Sequence, residues 1–420
     1  MPPCVRYPFF SLILVSLALG VKGQTPVGST PLRQGGAVSA GMAGAQAGLQ
    51  THSGNLTQNP ASMALLKQSE VSLSTGFLTA ITTFLAETPS LYRDTTETPF
   101  SSPLMLSGIL PIRSKNRPPR IALGLAAHSP YWATIRWPEG WKGRLISEEY
   151  AIRTLYLEPS VSVRITDKIA IGAGPVLGAG SWYDKRSLQV SGSQGQESFS
   201  EHTGTGGGLG YQIGVFFQPE PDFSLGCVWK SQMDLAIETG EARFTVPPSL
   251  ETGYPTLGFT SEIQLPAQLS VGLGYNPDPR FLLALDLEWF GWKSISDAFV
   301  TYERQTLFVR NTTYDLNLRN VVGFRFGWEF RPNERLALRT GLGYLPTPTP
   351  ADQLSPAFPD GNRIQVSLGG SWRFYRKIYF DQALWFEFTG ERTGILSNSG
   401  FGGTYASTLT GLILGFRFGG

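Results

Sequence analysis

Leu155-Tyr156-Leu157-Glu158-Pro159-Ser160-Val161-Ser162-Val163-Arg164-Ile165, followed at once by Thr166-Asp167-Lys168, decides how this chain folds. Leu155, Leu157, Val161, Val163 and Ile165 alternate with Tyr156, Glu158, Ser160, Ser162 and Arg164. A period of two is that of a β-strand, whose successive side chains point to opposite faces. One face of this strand wants hydrocarbon and the other carries full charges. Ile263 to Tyr275 repeats the pattern, with Leu265, Ala267, Leu269, Val271 and Leu273 on one face. Phe281 to Trp289 sets Leu283, Leu285 and Leu287 against Asp286 and Glu288, and Val322 to Phe330 sets Phe324, Phe326 and Trp328 against Arg325 and Glu329. Leu336 to Tyr344, Ile364 to Phe374, Ile378 to Phe388 and Leu412 to Phe418 alternate alike.

A soluble sandwich also alternates, so the connections must decide. Fourteen strands are predicted, the first near Ser69 and the last near Tyr405. Six connections are tight, such as Thr166-Asp167-Lys168, Pro332-Asn333-Glu334 and Tyr375-Arg376. Seven are long: Glu87 to Phe100, Pro130 to Glu148, Asp184 to Gly206, Glu238 to Leu257, Lys293 to Asn317, Leu345 to Gly361 and Gly390 to Thr404. Short and long alternate strictly, the layout of an all-β, transmembrane antiparallel β-barrel of about 14 strands over residues 68–420. Backbone groups cannot stay unpaired in lipid, so the sheet must close. Fourteen strands enclose more space than their own side chains fill, so something else must occupy the lumen.

The candidate is the segment just ahead of the barrel, Gly41 to Leu66, set in a small-residue stretch that begins at Ala37. Small side chains let short helices fit inside a tube. Asn59 is a good N-cap and Pro60 a good first helical residue, which predicts a short helix from Pro60 to about Lys67. Residues 24–67 are therefore read as a small helical hatch in the lumen. Met1 to Gly23 has a basic start at Arg6, an apolar stretch from Pro8 to Gly20 and small residues at Gly20 and Gly23. That is the form of a secretory signal peptide, too short to span a bilayer as a helix.

Composition agrees. Charged residues are 16%, against roughly 25% in soluble domains, and 49 of 420 residues are glycine. A formal net charge of +2 suggests no nucleic-acid partner. Of the two cysteines, Cys4 falls in the leader and Cys227 stands alone, so no intramolecular disulfide is expected in the mature chain.

Nothing points to catalysis, a metal or a cofactor. His52, His128 and His202 lack metal-ligand spacing, and the Gly204 to Gly210 run lacks the Lys-Ser/Thr of a phosphate loop and reads as flexible loop. More telling are the charges in phase with the inner faces, among them Glu158, Asp286, Glu288, Glu329, Asp381, Glu387 and Arg417. One reading makes them an ion-pair network between hatch and wall. The other has an arginine, from Arg164, Arg325, Arg339 and Arg373, bind the carboxylate of an amphipathic ligand in the lumen.

Four stretches in order resemble the FadL/TodX family of outer-membrane transporters for long-chain fatty acids and other hydrophobic compounds. They are Asn59-Pro60-Ala61, similar to the family's hatch motif; Trp137 to Arg144 leading through Leu157-Glu158-Pro159 to Asp167 to Gly174; Leu265-Pro266 through Asp286 to Trp292; and Tyr344-Leu345-Pro346-Thr347-Pro348 with Pro356 to Gly361. The resemblance implies a fourteen-stranded barrel with an N-terminal hatch gated at Asn59, Pro60 and Ala61. It implies capture of ligand among external loops, and sideways exit where the third strand, about Arg120 to Ser129, kinks inward. The expected function is passive uptake of long-chain fatty acids or aromatic hydrocarbons at the outer membrane of a Gram-negative cell, with both termini periplasmic. Expected partners are the ligand, outer-membrane lipid, lipopolysaccharide and the outer-membrane assembly machinery, with the protein a monomer. The alternative is a plugged structural or adhesive barrel whose external loops bind partners.

Overall fold

β1 (Glu70–Ala86) shows what the period-two pattern produces. Val71, Leu73, Phe77, Ile81 and Leu85 lie exposed on its outer face, while Ser72, Ser74, Leu78, Ala80, Thr82 and Phe84 are buried on the inner one. The computed structural model describes residues 35–87, 92–97, 100–114, 117–190, 197–295 and 297–419. The expected leader, Met1 to Gly23, and the first residues of the expected hatch lie outside the described residues.

The wall continues through β2 (Leu104–Ser114), β3 (Arg117–His128), β4 (Glu149–Arg164), β5 (Ile169–Ser187) and β6 (Phe199–Glu220). β7 is built from Phe223–Lys230 and Met233–Thr245, and β8 from Leu257–Leu265 and Gln268–Asp278. β9 (Phe281–Phe290), β10 (Val321–Asn333), β11 (Leu336–Leu345), β12 (Arg363–Tyr375), β13 (Ile378–Thr389) and β14 (Phe401–Gly419) complete it. Each strand pairs antiparallel with the next, and β14 returns to β1 in register from Glu70 beside Gly419 to Ala86 beside Gly403. The result is a closed, almost all-β barrel of fourteen strands. Its outer belt of Leu, Ile, Val and Phe makes sense only against hydrocarbon, where each such side chain gains about 1.5–3 kcal/mol over water.

Three corrections concern the loop-side ends. The predicted loop Asp184 to Gly206 is mostly strand, because β5 and β6 pair as far as Ser187 beside Phe199. The Gly204 to Gly210 run is thus wall, not flexible loop. Likewise β7 runs to Thr245, deep into the predicted loop Glu238 to Leu257.

The other large correction is a change of phase. β7 is broken at Ser231–Gln232 and β8 at Pro266–Ala267, side by side, with Lys230 opposite Gln268 on one side and Met233 opposite Leu265 on the other. Proline supplies no N–H to a ladder. Across the break the inward set moves from even to odd positions: Val228 and Ser270 face inward below it, and Met233, Leu235, Ile237, Ile263 and Leu265 above it. Ile263 and Leu265 therefore point into the lumen, not onto the lipid face with Val271 and Leu273. The inner glycines of β5 and β6 receive these side chains. A Cβ on Gly204 would stand 2.6 Å from Ile237 Cγ2, and one on Gly178 would stand 2.4 Å from Met233 Sδ.

The N-terminal segment lies inside the short-turn half. It holds α1 (Ala37–Ala40) and two 3-10 turns, Ser53–Thr57 and Pro60–Leu65, all buried. The last is shorter and tighter than the helix expected to Lys67. Its backbone touches bare wall glycines: a Cβ on Gly226 would stand 1.8 Å from the Ala47 carbonyl oxygen, and one on Gly341 would stand 2.3 Å from Ala43 N.

Candidate ligand site

On the loop side of the inner segment the phase change of β7 and β8 leaves an apolar cavity of about 450 Å³. Trp182, Ile237, Ile263, Leu265 and Val300 line one side, and Tyr131, Trp132 and Leu409 another. Residues of the β11–β12 connection, including Thr349, Ser355 and Phe358, cover it. That cover is pinned at both flanks. Trp137 Nε1 donates to the Pro356 carbonyl at 3.0 Å and Phe358 packs on Tyr150 at 4.7 Å. Opposite, Arg392 donates to the carbonyls of Thr349 and Asp360.

The Trp137 to Arg144 stretch is a buttress for this cover. Gly140 takes φ +74°, a left-handed turn that brings Trp141 back to stack on Trp137 at 4.2 Å, with Phe84 edge-on to both rings.

β3 stops at His128, against the expected Arg120 to Ser129. After Ser129-Pro130 the chain resumes as Trp132–Arg136, which pairs along β4. Among the described residues, β2 does not accompany it there, since its ladder with β3 ends at Met105 opposite His128. Tyr131, Trp132 and Ala133, at this interruption, line the cavity. Beneath lies a smaller space of about 50 Å³ with a mixed lining, touched by Thr57 and Gln58 of the inner segment and by His128 and Lys230. There Glu158, fully buried, meets His128 Nε2 and Lys230 Nζ, each at 3.1 Å, and accepts from Gln212 Nε2 at 3.3 Å.

The hatch motif residues sit at the contact between inner segment and wall. Asn59 Oδ1 accepts from Ala61 N at 3.0 Å, capping the turn that Pro60 begins, while Nδ2 donates to the carbonyls of Ala47 (2.9 Å) and Val215 (3.1 Å). Ser162 Oγ donates to the Ala61 carbonyl at 2.8 Å. Losing a cap of this kind costs about 1 kcal/mol, and Asn59→Ala also removes its bonds to the carbonyls of Ala47 and Val215. Asn59→Ala is expected to speed proteolysis of the inner segment while the barrel stays folded; a digestion time course with intact-barrel gel mobility checks this.

The four arginines are engaged elsewhere than the cavity. Arg325 binds Glu288 (2.9 Å), Gln365 (2.7 Å) and the Ala43 carbonyl (2.7 Å). Arg339 binds Glu329 (2.5 Å) and Ser371 (2.6 Å), and Arg164 reaches the Ala64 carbonyl at 3.2 Å. Arg373 stands at the short-turn rim, paired with exposed Glu334 at 3.1 Å. Asp286 accepts from the backbone N–H groups of Gln46 (2.8 Å) and Ala47 (2.9 Å). Arg164, Arg325 and Asp286 thus tie segment to wall, while Arg339 pairs within the wall. The arginines that line the cavity are Arg186 and Arg363, which sequence phase did not single out. Among the described residues no group of His, Cys, Asp and Glu is arranged to hold a metal.

A closed barrel with an apolar belt, its own N-terminal segment inside and a greasy chamber under its loops is the build of a transmembrane β-barrel of the outer membrane. The chain belongs to the outer membrane protein transport protein family (OMPP1/FadL/TodX), whose model matches residues 20–407. It is 23% identical over 187 residues to a long-chain fatty acid transport protein of Escherichia coli O6:H1, a match covering 41% of each chain. It is 25% identical over 196 residues to a putative outer membrane protein of Neisseria meningitidis serogroup B, covering 43% of this chain and 42% of that one. The matched region spans about two fifths of the length of these curated relatives. In fold it is similar to a Pseudomonas aeruginosa FadL homologue (TM-score 0.80, 18% identity, covering 94% of this chain and 99% of that one). It also resembles the P. putida toluene transporter TodX (TM-score 0.71, 14% identity, covering 91% and 98%).

Proposed function

We propose that the protein is a passive importer of hydrophobic or amphipathic small molecules across the outer membrane. The long loops face outward and the short turns and both ends of the described chain face the periplasm. Ligand is captured under the β11–β12 cover, held in the apolar cavity and released sideways at the interruption of β3, while the N-terminal segment serves as hatch and keeps the lumen tight. The observation that carries this reading is that the cavity is lined by Tyr131, Trp132 and Ala133, where the described ladder between β2 and β3 has ended. Partitioning supplies the drive, at about 0.8 kcal/mol per CH₂ taken from water. An adhesive or purely structural barrel has no use for an apolar chamber of this size.

Uptake of labelled long-chain fatty acid and of labelled monoaromatics, in cells with and without the protein, tests the reading; unchanged uptake of every class would sink it. Ile263→Trp fills part of the cavity. Excluding the equivalent of two methylenes from contact costs about 1.6 kcal/mol, so uptake at limiting ligand is expected to fall about fifteenfold, with the amount of folded barrel unchanged.

A further inference from the structure

The cavity is greasy, but the charges on its lining are unequal. Asp184, Asp360 and Glu387 reach it, against Arg186 and Arg363, while Glu262 shares the outer face with Gln264. Arg363 is already divided between Asp360 at 3.1 Å and Glu387 at 3.2 Å. His202, hydrogen bonded to the Tyr302 hydroxyl at 2.7 Å, is drawn down to about 4 by burial and adds no charge at neutral pH. The inward-facing charges of the lining therefore carry a surplus of one negative charge. A ligand carboxylate entering it would meet repulsion in a poorly screened space.

Asp184 stands out among these groups. It lies between Trp182 and Arg186 on the inner face of β5, directly across from His202 of β6 and Tyr150 of β4. This level is clear of the apolar belt, since the outer face has become Tyr183, bonded to Glu201 at 2.7 Å, and Lys185, paired with Glu148 at 3.5 Å. The Asp184 carboxylate accepts no hydrogen bond from any described residue, and it opens onto the cavity. Burial raises its pKa to about 6. Asp184 is only half-buried, so its carboxylate stays reachable from the cavity, and a ligand hydroxyl can donate to it there.

We propose that Asp184 is a recognition residue for ligands whose polar end is an uncharged hydroxyl, an alcohol or a phenol, and that the cavity discriminates against carboxylate anions of the same shape. This rests on the cavity being the ligand site of the transport reading, and the test separates the two. Full-length protein in lipid nanodiscs is titrated calorimetrically at pH 7.5 with 4-butylphenol, butylbenzene and 4-butylbenzoate, with empty nanodiscs as the blank. The phenol is expected to bind about tenfold tighter than butylbenzene, as for a hydrogen bond to a charged acceptor, and the benzoate weaker than either. In Asp184→Leu the phenol should lose its advantage over butylbenzene. In Asp184→Asn, which keeps the shape and removes the charge, the benzoate should recover. Equal binding of phenol and benzoate, or a phenol-to-butylbenzene ratio untouched by Asp184→Leu, overturns the assignment and leaves the cavity's role standing. Failure of butylbenzene itself to bind overturns both.

Discussion

The Gly226→Val protein is expected to conduct ions across a planar bilayer where the parent conducts little. The Cβ that any residue adds at position 226 would stand 1.8 Å from the Ala47 carbonyl oxygen and 2.8 Å from Asn59 Nδ2. The wall cannot retreat, because Gly226 is paired on one side with Phe216 of β6 and on the other with Gly272 of β8. The inner segment must move instead, and with it go the Asn59 bond to Ala47 and the grip of Asp286 on Gln46 and Ala47. A fourteen-stranded bore is too wide for its own side chains to seal. Gly390→Val, at a loop position with nothing within 4 Å of the added Cβ, is the control and should stay closed. Parent-level conductance in Gly226→Val would mean that the segment is not what keeps the lumen tight.

Arg325→Ala is expected to cost about 3–5 kcal/mol of stability, the usual result of leaving a buried charge without its partner. Glu288 is 1% exposed and pairs with Arg325 at 2.9 Å. The same guanidinium also holds Gln365 and the Ala43 carbonyl, so the loss reaches wall and inner segment together. The double variant Arg325→Ala/Glu288→Ala should recover most of that cost, since the two positions are directly coupled. Denaturant unfolding, followed by the gel mobility of folded and unfolded barrel, measures both. A single variant as stable as the double would show that Glu288 finds another way to be satisfied.

The barrel was readable because lipid imposes a simple rule on each strand. Where hydrocarbon touches the outer face, Leu283, Leu285 and Leu287 must alternate with Asp286 and Glu288, and six tight turns against seven long loops follow from the up-and-down path. The cavity was not readable, for two physical reasons. Above the belt the outer face no longer has to be apolar, so Asp184 and its neighbours look like loop although β5 and β6 remain fully paired. At Pro266 the phase reverses, so a strictly regular reading sends Ile263 and Leu265 to lipid when they line the cavity. Capping chemistry predicted a helical turn that begins at Pro60, and Asn59 does cap it. The four arginines were chosen by phase alone. Phase says which way a side chain points, and not whether a carboxylate or a backbone carbonyl waits for it there.

The join between β1 and β14 brings together stretches that lie far apart in the chain, Glu70 beside Gly419. Contacts of such long separation carry a heavy loop-closure cost and form late. Yet the inner segment, which precedes β1, is gripped from within by Ser162, Asp286, Arg325 and Ser367, spread around most of the ring. Seating it before the ring shuts lets each of these contacts form as its strand arrives. Assembly is then a matter of order: the first-made piece is enclosed by everything made after it, and the last strand locks it in.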